Sequence, residues 1–142
     1  ALLTEILQKV SSAKTKKEKV DLLQEYNSQG LRSLLIINFD DSLEFLLPEG
    51  EVPFTPNDAP AGTEHTRLTQ EYRGLYRFFK GGDSSIKGMR REQLFVQLLE
   101  GLHADEANML VSACNKDLQS KYRITKAVVA EAFPAIEWGN RG

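Results

Sequence analysis

A chain of 142 residues and 16.0 kDa is long enough to bury one hydrophobic core and too short for two. With 41% hydrophobic and 27% charged residues, its composition excludes both a disordered and a membrane-spanning class. The net charge of −2 argues against a nucleic-acid partner only if charge is spread evenly, yet residues 40–64 hold seven acids and no base while residues 65–91 hold seven bases against Glu71 and Asp83.

Ala1-Leu2-Leu3 lacks the basic-then-apolar layout of a signal peptide. The single cysteine, Cys114, rules out an internal disulfide and a cysteine-based zinc centre. A soluble protein of the reducing cytoplasm, without membrane contact, is expected.

Leu2, Leu3, Ile6, Leu7 and Val10 recur at helical spacing and predict a first amphipathic helix ending near Ser11-Ser12. Thr15-Lys16-Lys17-Glu18 has the form of a capping box and opens a second helix to about Tyr26, with Val20, Leu23 and Tyr26 inward and residues 27–30 breaking it. Residues 31–39 are almost continuously apolar; helical surroundings and the lack of a partner strand favour helix. Asp40-Asp41-Ser42 suggests another short helix to about Leu47. Four prolines and two glycines make residues 48–64 an acidic loop.

Residues 66–80 read as a strong helix with Leu68, Tyr72, Leu75 and Phe79 on its apolar face. Tyr76 or Phe78 is the expected exposed aromatic, and Arg73, Arg77 and Lys80 would stack as three cations on one side. After the Gly81-Gly82-Asp83-Ser84-Ser85 break, residues 89–102 form a helix burying Leu94, Phe95, Leu98, Leu99 and Leu102. Asp105 and Glu106 suit the first turn of the next, whose inner face is Met109, Leu110, Ala113 and Cys114. The chain then loosens after Lys116-Asp117. Thr125 caps a last helix holding Val128, Val129, Ala132 and Phe133, which Pro134 ends. The fold class is all-α, one domain over residues 1–142 of about seven or eight short helices.

Chemistry-bearing groups are sparse. Asp40-Asp41 reads as a helix start and not as a catalytic pair, His65 and His103 are isolated, and Cys114 sits on an apolar face as a small core residue. No acid, base and cofactor site gather, so neither an enzyme nor a cofactor is expected. More informative is the Gly81–Ser85 loop, whose glycines and small hydroxyls between Lys80 and Lys87 would let a backbone phosphate approach closely. Basic groups recur at Lys14/Lys16/Lys17/Lys19, Arg73/Arg77/Lys80, Lys87/Arg90/Arg91 and Lys121/Arg123/Lys126, mostly near helix starts.

Two blocks carry a family resemblance. The first is Leu3-Thr4-Glu5-Ile6, the run from Ser11 to Lys19, then Leu22-Leu23 and Asn27. The second is Leu98-Leu99, Glu106, Lys116-Asp117-Leu118 and Lys126-Ala127-Val128, ending in Ala132-Phe133-Pro134-Ala135-Ile136. In order and spacing these resemble the N-terminal helical DNA-binding domain of ATP-dependent DNA ligases of tailed phages. Ser120-Lys121 stands where that family carries a glycine, and the Lys-x-Asp-Gly nucleophile motif of nucleotidyl transfer is missing.

The resemblance implies a ligase-like module without its catalytic domain, gripping duplex DNA through backbone phosphates across the minor groove without sequence choice. Its contacting turns would be Thr15, Lys16 and Lys17; Gly81, Ser84, Ser85 and Lys87; and Lys121, Arg123 and Lys126. The cations Arg73, Arg77, Lys80 and Arg90 would assist. The expected role is a DNA-binding accessory protein of phage replication or repair in the host cytoplasm, on intact or nicked double-stranded DNA. The competing expectation is a protein-interaction adaptor that keeps the fold and uses the acidic 48–64 stretch to dock a replication protein such as a sliding clamp.

Overall fold

The computed structural model describes residues 2–47, 54 and 68–139, with the side chains of Thr69 and Gln70 excepted. Apart from Phe54, the acidic loop expected over 48–64 lies outside the described residues. The architecture is all-α, as expected. Its helices are α1 (Leu3–Ser12), α2 (Lys16–Glu25), α3 (Gln29–Phe39) and α4 (Leu68–Glu71), a 3₁₀ helix (Tyr72–Phe78), then α5 (Gly88–Gly101), α6 (Ala104–Cys114), α7 (Leu118–Tyr122) and α8 (Lys126–Ala132). One hydrophobic cluster joins residues from all of them. α3 packs on α6, α4 and the 3₁₀ helix, while α1 packs on α2, α6 and α7, and α2 lies on α8.

Local signals explain several helix starts. The Thr15 hydroxyl accepts from the Glu18 amide at 3.1 Å, and the Glu18 carboxylate reaches back to the Lys14 amide at 3.3 Å. Thr125 caps α8 in the same way through Val128. Ser28 accepts from the Leu31 amide at 3.1 Å, so α3 begins at Gln29 and the break falls at residues 26–28 in place of 27–30. The apolar run 31–39 is indeed helix, with Leu31, Leu34, Leu35 and Ile37 buried.

Two expected helices are corrected. Residues 40–47 form a turn and an extended stretch. Asp40 Oδ1 accepts from the Ser42 amide at 2.9 Å and its hydroxyl at 2.6 Å, and Oδ2 accepts from the Gly139 amide at 3.0 Å, a local bonding pattern that competes with helix. The following Phe45 then pairs as an isolated antiparallel bridge with Phe79. This places its ring 5.5 Å from Phe79 and 5.3 Å from Phe95, centroid to centroid.

The helix expected over 66–80 is α-helical only through Glu71. Tyr72, Leu75 and Phe78 are spaced by three, which aligns them along one side of a 3₁₀ helix and buries Leu75 and Phe78. Phe78 is therefore core, 5.0 Å from Phe95, and of the two candidates for an exposed aromatic it is Tyr76 that lies outside. The change of pitch also separates the cations: four residues at about 120° each put Arg73 and Arg77 a third of a turn apart, and Lys80 lies past the helix end.

Gly81 and Gly82 have steric reasons to be glycine. Gly81 has φ +87°, and a Cβ on Gly82 would lie 1.9 Å from the Tyr76 carbonyl oxygen. Gly82→Ala is expected to cost about 1–3 kcal/mol in urea unfolding. Gly88→Ala, where a Cβ meets nothing within 4 Å, should leave the urea midpoint within error or raise it. Equal losses at both positions would contradict this packing.

Helices α5 and α6 follow expectation, although Leu94 and Leu98 are only half-buried, and Phe133 falls just past α8 as its C-cap. The segment expected to loosen after Asp117 contains α7. Lys116 sits in the left-handed region at φ +59°, with the Asp117 amide on the Ser112 carbonyl and the Lys116 amide on that of Ala113. A glycine is usual there; the lysine is held by its own side chain, whose Nζ donates to Ile37 O at 2.9 Å and Asp40 O at 2.8 Å, capping α3. Asn38 answers from α3, accepting from the Leu118 amide at 2.9 Å and donating to Gln119 at 3.0 Å.

Candidate nucleic-acid interface

The positively charged turns converge in two groups. The first combines residues 14–19, at the start of α2, with residues 121–126, between α7 and α8. Packing of α2 on α8 brings them together, and Lys19 Nζ donates to the Arg123 carbonyl at 2.6 Å across 104 positions of sequence. The two stretches contain seven bases and one acid, Glu18.

Within this ledge Thr15, Lys16, Lys17, Lys121, Arg123 and Lys126 are all exposed. Lys16 comes within 4.0 Å of Glu131 and Lys126 lies 5.0 Å above the Trp138 ring. Among the described residues, the side chains of Lys17, Lys121 and Arg123 have no acidic partner. Arg123 adopts the left-handed backbone region at φ +51°, three positions after Ser120, and so makes the turn without a glycine.

The second group surrounds the Gly81–Lys87 loop, and here the expected site is corrected. Ser85 does not offer its donors to a phosphate: its hydroxyl and amide both bond to Asp83 Oδ1, at 2.5 and 2.9 Å. Those two bonds, the hydroxyl first, hold the Asp83 carboxyl below its ordinary range, so a carboxylate occupies the loop. Arg77 Nε donates to Gly74 O at 2.8 Å, and its guanidinium lies 5.4 Å from the Phe78 ring centroid. Arg91 ties the loop shut through Arg77 O, Asp83 O and Ile86 O.

Lys80 pairs with Glu44 at 3.8 Å. Arg73 donates to the Tyr72 hydroxyl, which raises it above the ordinary arginine range. Ser84, Lys87 and Arg90 project into solvent. Here the fold uses Arg77 and Arg91 as internal braces.

Other candidates are accounted for by packing. Asp40 is spent on Ser42 and Gly139, and the His103 ring accepts from the Asp105 amide at the start of α6. His65 lies outside the described residues. Among the described residues no cluster of three His, Cys, Asp or Glu side chains could hold a metal, and no helix is long and apolar enough to cross a membrane.

Cys114 is buried, as expected, and burial pushes its thiol well above the ordinary value of 9.0. Below pH 9 both folded and unfolded thiols are protonated; above it only the unfolded one ionises. Stability should therefore fall as pH rises past about 9, by at most about 1.4 kcal/mol per pH unit from this group. Urea midpoints at about pH 8 and 10 should separate less in Cys114→Ala than in the parent; an unchanged separation would refute the assignment.

One buried group was unforeseen. Glu106 is fully buried and accepts from the amides of Leu3 at 3.1 Å and Leu68 at 3.0 Å, joining the starts of α1 and α4. Local sequence offered only its first-turn position.

No curated protein and no solved structure matches this chain. Residues 6–120 match the model of a family of unknown function, DUF6433, and since this match spans most of the sequence the chain belongs to that family.

Proposed function

We propose that this chain is a sequence-independent duplex-DNA-binding accessory module of phage replication or repair that acts by contacting backbone phosphates and not by catalysis. The observation that carries the reading is the α2–α8 ledge, where two segments remote in sequence bring seven bases together with Glu18, and with Glu131 beside Lys16. Phosphate contacts of this kind position a protein on a duplex without reading its bases. The resemblance of the ledge segments to the phage ligase domain supports the same use. The Gly81–Lys87 loop and the turn after it contribute Ser84, Lys87 and Arg90 at most, since the Ser85 hydroxyl and the Arg91 guanidinium are committed internally.

Fluorescence anisotropy of a labelled 20-base-pair duplex tests this, with two unrelated sequences and with intact and nicked forms. Equal affinity for both sequences is expected, with log K falling against log salt by about 0.9 for each phosphate neutralised. Absence of binding at ~50 mM salt, where counterion release is most favourable, would remove the proposal.

A further inference from the structure

Trp138 is the one tryptophan of the chain and lies beyond the end of α8. The turn that carries it is tied on both sides: the Ile136 amide bonds to the Phe133 carbonyl at 3.1 Å, and the Gly139 amide, at φ +92°, donates to the buried Asp40 carboxylate at 3.0 Å. This folds the segment back and sets the indole, half-buried, against the core over part of its surface. Lys126, exposed at the first position of α8, holds its ammonium over the ring, 5.0 Å from the centroid. An exposed ammonium above a ring marks that face as the one turned to solvent. Among the described residues the indole N–H has no acceptor, and no second aromatic ring packs on it. The other aromatic beside the ledge, Tyr122, is buried.

An open aromatic face bordering a row of cations suits unpaired nucleic acid, with a base on the ring and phosphates on the cations. We propose, on the duplex-binding reading given above, that Trp138 is a stacking platform for an unpaired nucleobase, so that the ledge favours a duplex carrying a single-stranded extension over one that is fully paired. Bases inside a duplex are stacked on one another and offer the indole no free face, whereas an unpaired base past the duplex end does. Lys126 does not block the ring. A cation over an aromatic ring at an exposed site is a weak contact, and the four-carbon stem lets the ammonium swing to a phosphate. Among the described residues Lys126 has no acidic partner. Of the carboxylates nearby, Asp40 is committed to Ser42 and Gly139, and Glu131 lies beside Lys16. Glu137 is exposed, one acid against Lys121, Arg123 and Lys126 in the adjoining segment.

The test compares three labelled DNAs by fluorescence anisotropy: a blunt duplex, the same duplex with a short thymidine extension, and one whose extension is abasic, which keeps the phosphates and removes the bases. The thymidine form is expected to bind about fivefold or more tighter than the other two, the low end of what one base on an aromatic ring contributes. That form alone should quench the emission of Trp138, which reports without interference because the chain has no second tryptophan. Trp138→Leu, which keeps an apolar side chain against the core, should bind all three forms alike, and Trp138→Phe, which keeps a ring, should retain part of the preference. Melting temperatures check that both variants fold; if neither does, the quenching and the abasic comparison in the parent chain decide. Equal affinity for the thymidine and abasic forms, undisturbed Trp138 emission at saturation, or a preference that survives in folded Trp138→Leu overturns the stacking and leaves duplex binding in place. Binding of none of the three removes both readings. Binding of the thymidine form alone, with quenching, upholds the stacking and removes the duplex reading.

Discussion

Glu106→Leu is expected to destabilise the fold by roughly 2–6 kcal/mol, because it strands two buried amide donors at about 1–3 kcal/mol each. Both amides, Leu3 N and Leu68 N, are at helix starts, where no carbonyl of the helix itself can reach them. Glu106→Gln keeps one acceptor oxygen and turns an NH₂ toward the other donor, so its loss should be smaller but still clear. The neighbouring Asp105→Ala is the natural control: its side chain is exposed and contributes only a dipole and surface interaction, worth less than about 1 kcal/mol. Urea unfolding of the three variants should rank them Leu, Gln, Ala in decreasing damage. Should Glu106→Leu and Asp105→Ala prove equivalent, the carboxylate does not join the two helix starts.

The second large effect concerns DNA. Removing Lys17, Lys121 and Arg123 together by alanine substitution should make the salt slope shallower by about 2.7, or about 0.9 for each lost phosphate contact. At ~50 mM salt each such contact adds roughly tenfold relative to ~1 M, so the triple variant should bind on the order of a thousandfold more weakly. The loss should be uniform across sequences, since none of the three is assigned to a base. Arg77→Ala should behave differently, lowering stability through the lost bond to Gly74 O while leaving the salt slope unchanged. A variant set in which Arg77 governs the slope and the ledge does not would contradict the proposed function.

These contrasts show where sequence was informative. Thr15, Thr125 and the apolar spacing of α1 and α6 act within a few residues, and each is found where its pattern placed it. Residues 72–78 went astray because spacing by three and spacing by four share the same aromatic string, and only burial of Phe78 against Phe95 selects the tighter helix. Residues 40–47 went astray because Asp40 looks like a cap until Gly139 arrives from the far end of the chain. The ledge was legible as composition but not as a surface, since its halves meet through packing of α2 on α8. Glu106 and Lys116 were invisible as structural centres because every partner that explains them is remote.

The interlock at the end of α3 bears on how the protein is made. Ile37 O and Asp40 O wait for Lys116, the Asn38 side chain waits for Leu118, and Leu3 N waits for Glu106. A chain emerging from the ribosome therefore exposes its first three helices, with their leucines, long before the residues that finish them exist. Neighbouring helices such as α1 with α2 and α5 with α6 can pack as they form, but these remote bonds require long loops to be gathered, which slows their closure.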